Sequence, residues 1–323
     1  MFRRRFDRVL VSPRCRFRIV NPDSEKGFAL GLNAAGGNIG VSSVQLLAPL
    51  IIGIGAVDAA HPHVQNLGLV GLPLSAVAAL GAFFFMDNLA TAKSNFADQV
   101  RVATNKQTWI MSVLYIGTFG SFVGYSAAFP LLLKTQFPEV TANPAFLGPL
   151  IGSASRPIGG WLSDKLGGSR VTFWNFLAMA LATVGVLSFV HQKDFAGFLT
   201  MFLLLFVTTG IGNGSTFRMI PVIFRTERLR AVPRGDVEAE RDALRAARRD
   251  AAAVIGLSSA IGALGGYFIP RSFGASIKAT GGLTMVLGFF LGFYVFCLAM
   301  TWWHYRRQTF MVRSAPSLAS ADA

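Results

Sequence analysis

The sequence predicts an all-α, polytopic membrane protein with eight transmembrane helices, and three observations carry that expectation. Of 323 residues, 52% are hydrophobic and only 14% are charged, a balance too apolar for an ordinary soluble domain. The apolar residues fall in runs of about 20, long enough to cross a bilayer as helices. The net charge of +14 comes from short basic clusters between those runs. Positive loops on the cytoplasmic side explain this pattern more simply than a nucleic-acid surface does.

Residues 1–20 carry seven arginines against one acid, Asp7, and no apolar core long enough for a signal peptide. They read as a basic cytoplasmic tail. Residues 28–55 form the first apolar run, in which Asn33, Asn38, Ser42, Ser43 and Gln45 are embedded. A short turn at 58–66 without lysine or arginine leads into the second run, 67–86, and the two make a helical hairpin. Residues 87–108 are polar. The third run spans 109–133 and the fourth 144–162, followed by a turn bearing Lys165 and Arg170. Runs five and six, 171–190 and 195–224, flank a short polar stretch at 191–194. The composition then changes: residues 225–250 are dense in both signs of charge, and 237–250 has the alanine, leucine, arginine and glutamate content of a surface helix. The last two runs, 251–269 and 283–303, precede a tail with Arg306, Arg307 and Arg313.

With the N-terminus inside, alternate loops place Lys93, Arg101, Lys106, Lys165, Arg170, the 225–250 segment and the C-terminal arginines in the cytoplasm. The opposite loops carry chiefly Lys193, Arg271 and Lys278. Both termini are therefore expected in the cytoplasm of a cell whose inner (plasma) membrane the chain spans.

Arg156 stands out because it lies inside the fourth run, roughly 10 Å or more along a helix from Asp164 at 1.5 Å per residue. A cation at that depth must face protein or a water-filled path. Pro149, Gly152, Ser153 and Gly160 share its helical face, leaving room beside a planar fork of donors that suits a planar oxyanion. The competing reading is an arginine bound to backbone carbonyls or snorkelling to an interface, the latter disfavoured by its depth. In the third run Tyr115, Phe119 and Phe122 form an aromatic stripe, which is either packing or the wall of a flat anion. Asn33 shares a face with Gly37 and Gly40, and Asn38 with Ser42 and Gln45. Gly256, Ser259, Gly262, Gly265 and Gly266 leave one side of the penultimate helix nearly bare. Gly210, Gly212, Asn213, Gly214 and Ser215 loosen the helix before it, which holds a second deep cation, Arg218.

No aspartate or glutamate is expected well inside a run, so a carboxylate proton relay has no candidate. Cys15 and Cys297 suggest neither a disulfide framework nor a metal site. His61 and His63 lack a third ligand, and no nucleophile, base and orienter can be placed together. No enzyme activity, cofactor or metal is expected.

Two longer motifs resemble a known family. Gly31-Leu-Asn33-Ala-Ala-Gly-Gly37-Asn38-Ile-Gly40-Val-Ser and Ser259-Ala-Ile-Gly262-Ala-Leu-Gly265-Gly266-Tyr-Phe-Ile-Pro270-Arg271-Ser-Phe-Gly274 look like the glycine-rich signatures of the nitrate/nitrite porters of the major facilitator superfamily. Gly212-Asn-Gly-Ser-Thr-Phe-Arg-Met-Ile-Pro-Val-Ile-Phe224 also matches. Gly160-Trp-Leu-Ser-Asp164-Lys165-Leu-Gly167-Gly168-Ser-Arg170 resembles the superfamily's cytoplasmic loop motif, a tight glycine turn with acid and base at facing helix ends, able to lock one conformer.

The resemblance covers about residues 21–307 and implies a partial major facilitator fold. Residues 21–87 would be the last hairpin of the N-terminal half, 88–108 a cytoplasmic linker, 109–305 the C-terminal six-helix bundle with its loop at 225–250, and 306–323 a polar tail. By it, Arg156 matches one of two arginines that hold the anion. Tyr115 and Phe119 match the hydroxyl donor and one aromatic wall, Asn33 and Asn38 match polar positions, and Gly256 and Ser259 match pocket-facing positions. The resemblance implies nitrate and nitrite as substrates and the lipid bilayer as surroundings, with no nucleic acid. The family's first four helices have no counterpart, so the expectation is a truncated chain whose residues 1–20 arise from a frameshift, a misplaced start or a shortened gene. It would partner the missing N-terminal fragment or an intact porter, or else be an inactive membrane fragment.

Overall fold

The computed structural model describes residues 26–55, 62–86, 96–140, 144–233 and 236–307. The basic tail 1–20, most of the 87–108 linker's first half, and the tail beyond 307 lie outside the described residues.

Eleven helices carry the described chain. The first hairpin is α1 (Lys26–Gly53) and α2 (Gln65–Phe85). A short α3 (Phe96–Ala103) leads to α4 (Lys106–Tyr115), a π-helical turn at Ile116–Gly120, and α5 (Ser121–Gln136). After a 3₁₀ turn at Pro144–Phe146 come α6 (Leu147–Leu166), α7 (Gly168–Gln192) and α8 (Phe195–Arg230). The last three are α9 (Val237–Ala263), α10 (Gly265–Thr280) and α11 (Thr284–Thr301), closed by a π turn at Trp302–Arg306.

Seven helical stretches among the described residues are long and apolar enough to cross a membrane. They coincide with seven of the eight expected spans. The eighth is α6, whose polar residues lower its hydropathy. It nonetheless packs between α1 and α8 with α7 alongside, and the buried Arg156 and Asp164 side chains face protein rather than lipid.

The helix boundaries follow local chemistry. Asn105 caps α4, its side chain accepting from the Gln107 amide at 2.8 Å, and Asp194 caps α8 through the Ala196 amide at 3.0 Å. Such caps satisfy first-turn amides that have no partner within the helix. Gly167 ends α6 at φ +85°, a left-handed conformation that a side chain resists. That turn sends the chain directly into α7.

Two expectations need correction. The segment 225–250 is not a loop with a separate surface helix: α8 runs on to Arg230, and α9 begins at Val237, capped by Asp236 through the Ala239 amide at 3.0 Å. The charged half of α9 continues without a break into the membrane half. The penultimate span also does not end at 269. It changes helix at Leu264 and proceeds past Pro270 to Thr280, stopping at Gly281 with φ +70°. The proline removes one amide donor, but backbone at membrane depth has no water to bond and stays helical where it can.

The core is aromatic. Phe129 stacks on Phe202 at 4.7 Å between centroids, and Phe198, Phe206 and Tyr125 complete a fully buried column between α5 and α8. Tyr125 also meets the Tyr294 hydroxyl, which donates to Ser121 at 2.8 Å. That chain of hydroxyls ties α11 to α5. By contrast α2 buries no residue.

Candidate functional site

The site begins with the thinness of α6. Side chains added at Gly159 and Gly160 would lie 2.2 Å from the Ile211 carbonyl oxygen and 2.0 Å from that of Gly27. Only bare backbone lets α8 and α1 approach α6 this closely from two sides. Leu150, Ile158 and Trp161 mark an exposed face of α6, while Arg156 projects from a buried one.

Arg156 is 3% exposed. Its Nη1 donates to the Ala34 carbonyl of α1 at 3.3 Å, while its Nε has no partner among the described residues. Part of the guanidinium is thus committed to a backbone carbonyl, and part is not. Its Cζ sits 5.6 Å from the centre of the Phe119 ring, close enough for the ring's negative face to attract it. The Tyr115 hydroxyl lies against both Arg156 and Ser259. Phe119 packs on Tyr115 at 5.2 Å, tilted by 30°, and Phe217 of α8 approaches Tyr115 at 6.3 Å.

The π turn positions this pair. Tyr115 is the last residue of α4 and Phe119 lies within the turn. The wide i to i+5 register of a π turn shifts the following side chains relative to an α-helix. The glycines of the second signature seat the turn: Gly262 faces the Phe119 and Tyr115 rings, and a carbon added at Gly265 would fall 2.4 Å from the Gly120 carbonyl oxygen. Gly266 faces Val123.

The structure therefore brings together Arg156, Tyr115, Phe119 and Ser259, with Gly262 and Gly265 behind them. It does not bring the first signature in to the same degree. Asn33 is exposed, Gly37 and Gly40 have open space, and Asn38 is partly buried with its Nδ2 unpaired. Gly256 is exposed and has nothing within 4 Å of an added side-chain carbon.

The acid of the loop motif finds its partners on neighbouring helices. Asp164, 3% exposed at its side chain, accepts from Arg218 Nε of α8 at 2.8 Å. It also accepts the Gly27 and Phe28 amides at 3.1 and 3.0 Å, capping the start of α1. Lys165 instead lies 4.2 Å from the centre of the Trp161 ring, and Arg170 is exposed. Arg218, read from the sequence as a second deep cation, is the ion-pair partner. Two residues absent from the sequence expectation also join the neighbourhood, Ala34 through its carbonyl and Phe217 through its ring. Ser153, expected on Arg156's helical face, has a buried hydroxyl that is unpaired among the described residues.

Among the described residues no three His, Cys, Asp or Glu side chains gather as a metal site. What the cluster presents is a fixed positive charge, free donors and aromatic faces without an adjacent carboxylate. A fixed charge with donors around it is chemistry suited to an anion.

A polytopic helical membrane protein with a buried guanidinium at the junction of its helices is the class that fold and site define. The chain belongs to the Major Facilitator Superfamily, whose profile matches residues 18–232. It is 43% identical over 305 residues to the nitrate/nitrite transporter NarU of Salmonella typhimurium and 40% identical over 307 to that of Escherichia coli. It is 33% identical over 310 residues to the probable nitrate/nitrite antiporter NarK2 of Thermus thermophilus. These matches take in 89%, 90% and 89% of this chain, and 65%, 66% and 65% of the relatives. The chain thus spans just under two thirds of the length of the curated relatives it matches. The resemblance to the nitrate/nitrite porters is borne out.

Proposed function

We propose that the chain serves the movement of nitrate and nitrite across the cell's inner membrane, by uptake or exchange, with Arg156 as one arm of the anion clamp. One observation carries the proposal: a guanidinium 3% exposed keeps Nε without a partner while Phe119 and Tyr115 crowd its face. A buried arginine with an unmet donor is costly unless a ligand completes it. The names of the relatives support the choice of anion. Tyr115 donates to the anion, Phe119 walls it, and Ser259, Asn38, Asn33 and Gly256 line its approach. The hairpin 21–87 and the bundle 109–305 belong to two halves that rock about this site. With no carboxylate beside Arg156 among the described residues, exchange of one anion for another is the simpler coupling. Both termini lie in the cytoplasm.

A second reading has its own observation. All of α2 is without a buried residue, and Gly36, Gly37 and Gly40 of α1 meet nothing within 4 Å. That open face favours a chain working beside further helices, from a complementing fragment or an intact porter, with no transport when alone.

Nitrate and nitrite flux in proteoliposomes separates the two, measured for the chain and for Arg156→Lys, which keeps the charge but loses the fork. The clamp is supported by flux that falls at least tenfold in the variant. Flux equal in both rejects Arg156, and flux absent from the unaltered chain favours the associating reading.

A further inference from the structure

Asn213 is fully buried on α8, yet among the described residues neither its Nδ2 nor its Oδ1 has a hydrogen-bond partner. Its polar neighbours on the same helix have all found one. Thr209 donates to the Phe206 carbonyl, Ser215 pairs with Thr172 at 2.8 Å, and Thr216 pairs with Thr118 of the π turn at 3.2 Å. An amide that only bridges helices would be satisfied in the same way, because an unmet buried polar group is destabilising.

Helical geometry says where Asn213 faces. Residues three and four apart share a face, so Asn213 lies between Gly210 and Phe217. The backbone at Gly210 abuts the Gly152 carbonyl, and that at Gly214 abuts the Arg156 carbonyl, both on α6. Phe217 meets Tyr115. The strip carrying Asn213 therefore opens on the wedge between α6 and the π turn, where Arg156 and Tyr115 also project. Two other unmet polar atoms belong to α6 on that side, Arg156 Nε and Ser153 Oγ. The unmet donors are the N–H of Arg156, the hydroxyl of Ser153 and the amide N–H pair of Asn213. A group of donors with one charge is completed by an oxyanion.

We propose that Asn213 is a further anion ligand, its Nδ2 donating to an oxygen of the anion that Arg156 holds. This rests on the nitrate/nitrite reading above. Gly210 and Gly214 then have a second role: without side chains they allow α8 close enough to α6 for an amide to reach a guanidinium-bound ligand.

The test is equilibrium binding of sodium nitrate and sodium nitrite to the purified full chain, alongside Asn213→Ala and the near-isosteric Asn213→Asp, with thermal unfolding followed in parallel. Loss of a hydrogen bond to a charged ligand weakens affinity by about tenfold or more, so Asn213→Ala is expected to raise Kd by at least that factor. Asn213→Asp, which sets a negative charge before the anion, is expected to weaken it further. Both should unfold within about 4 °C of the unaltered chain, the shift that about 1 kcal/mol produces. Variants that bind as well as the unaltered chain overturn the proposal and leave Arg156 as the clamp. Affinity that falls only in step with thermal stability, equally in both variants, also overturns it. An unaltered chain that binds neither anion overturns this proposal and the function on which it rests.

Discussion

Arg218 Nε donates to Asp164 Oδ1 at 2.8 Å, and the same carboxylate accepts the first amides of α1. One side chain at the end of α6 therefore joins three helices: α6 itself, α8 through the ion pair, and α1 through its N-terminus. A carboxylate at a helix start also complements the positive end of the helix dipole.

Removing one partner of a buried pair strands the other, which typically costs about 3 kcal/mol or more. Asp164→Asn keeps the shape and loses the charge. It is expected to lower the thermal unfolding temperature of the detergent-solubilised chain measurably and to speed hydrogen exchange at the first turn of α1. An unfolding temperature equal to that of the unaltered chain would show that the pair contributes nothing.

A second prediction concerns Gly265, where an added carbon would fall 2.4 Å from the Gly120 oxygen. Backbone cannot yield as a flexible side chain can, so Gly265→Ala must push α10 away from the π turn. The expected outcome is destabilisation by about 1–3 kcal/mol, the usual range for overpacking, together with weaker nitrate binding as Tyr115 and Phe119 shift. Gly274→Ala provides the contrast. Nothing lies within 4 Å there, and replacing a mid-helix glycine with alanine should stabilise by about 0.5–1 kcal/mol. Equal unfolding temperatures for the two variants would refute the steric account.

Asp250 offers a third. It is 4% exposed at its side chain and receives Arg101 of α3 at 2.8 Å and Arg228 of α8 at 2.5 Å. Both arginines are about half exposed, which screens their charge, so Asp250→Asn is expected to cost only about 1–2 kcal/mol. The local effect should be larger than the global one. Faster amide exchange across Phe96–Ala103, with the α5–α8 aromatic column still protected, is the expected pattern; uniform exchange throughout would contradict it.

Asn105 makes the fourth case, since its side chain caps α4 and also donates to Glu227 at 3.0 Å. Asn105→Ala is expected to destabilise by about 1 kcal/mol through the cap, and Asn105→Asp to recover the cap while placing a negative charge beside Glu227. A chemical denaturation series reads both. If Asn105→Asp proved the less stable of the two, the contact with Glu227 would outweigh the cap.

Much of the architecture was legible because membrane helices announce themselves locally. The runs for α1, α2 and α7 needed only length and hydropathy, and their bounds moved by a few residues. The extension of α9 was hidden for a physical reason. Its charged half carries Arg241, Arg245, Arg248 and Arg249, which reads as solvated surface, yet composition does not reveal whether a helix pauses before entering the bilayer. The Pro270-Arg271 pair likewise signals a stop in isolation, where the packed helix carries on. The candidate site was half legible. Arg156 stood out by depth, and Tyr115 and Phe119, which spacing alone left as packing or wall, by the family resemblance; Asn33 and Gly256 lie exposed, because a motif reports residue type and not which neighbour covers it.

The sequence by itself determined the spanning helices, the depth of Arg156 and the turn at Gly167, since each depends on residues within one or two helical turns. Only tertiary structure decided that Asp164 pairs with Arg218, that the Ala34 carbonyl takes one arm of Arg156, and that Asn213 is left unmet among the described residues. These facts depend on how closely glycine-lined helices approach one another. Contacts between residues more than 50 apart in the chain are set by the packing of whole helices, which no local pattern encodes.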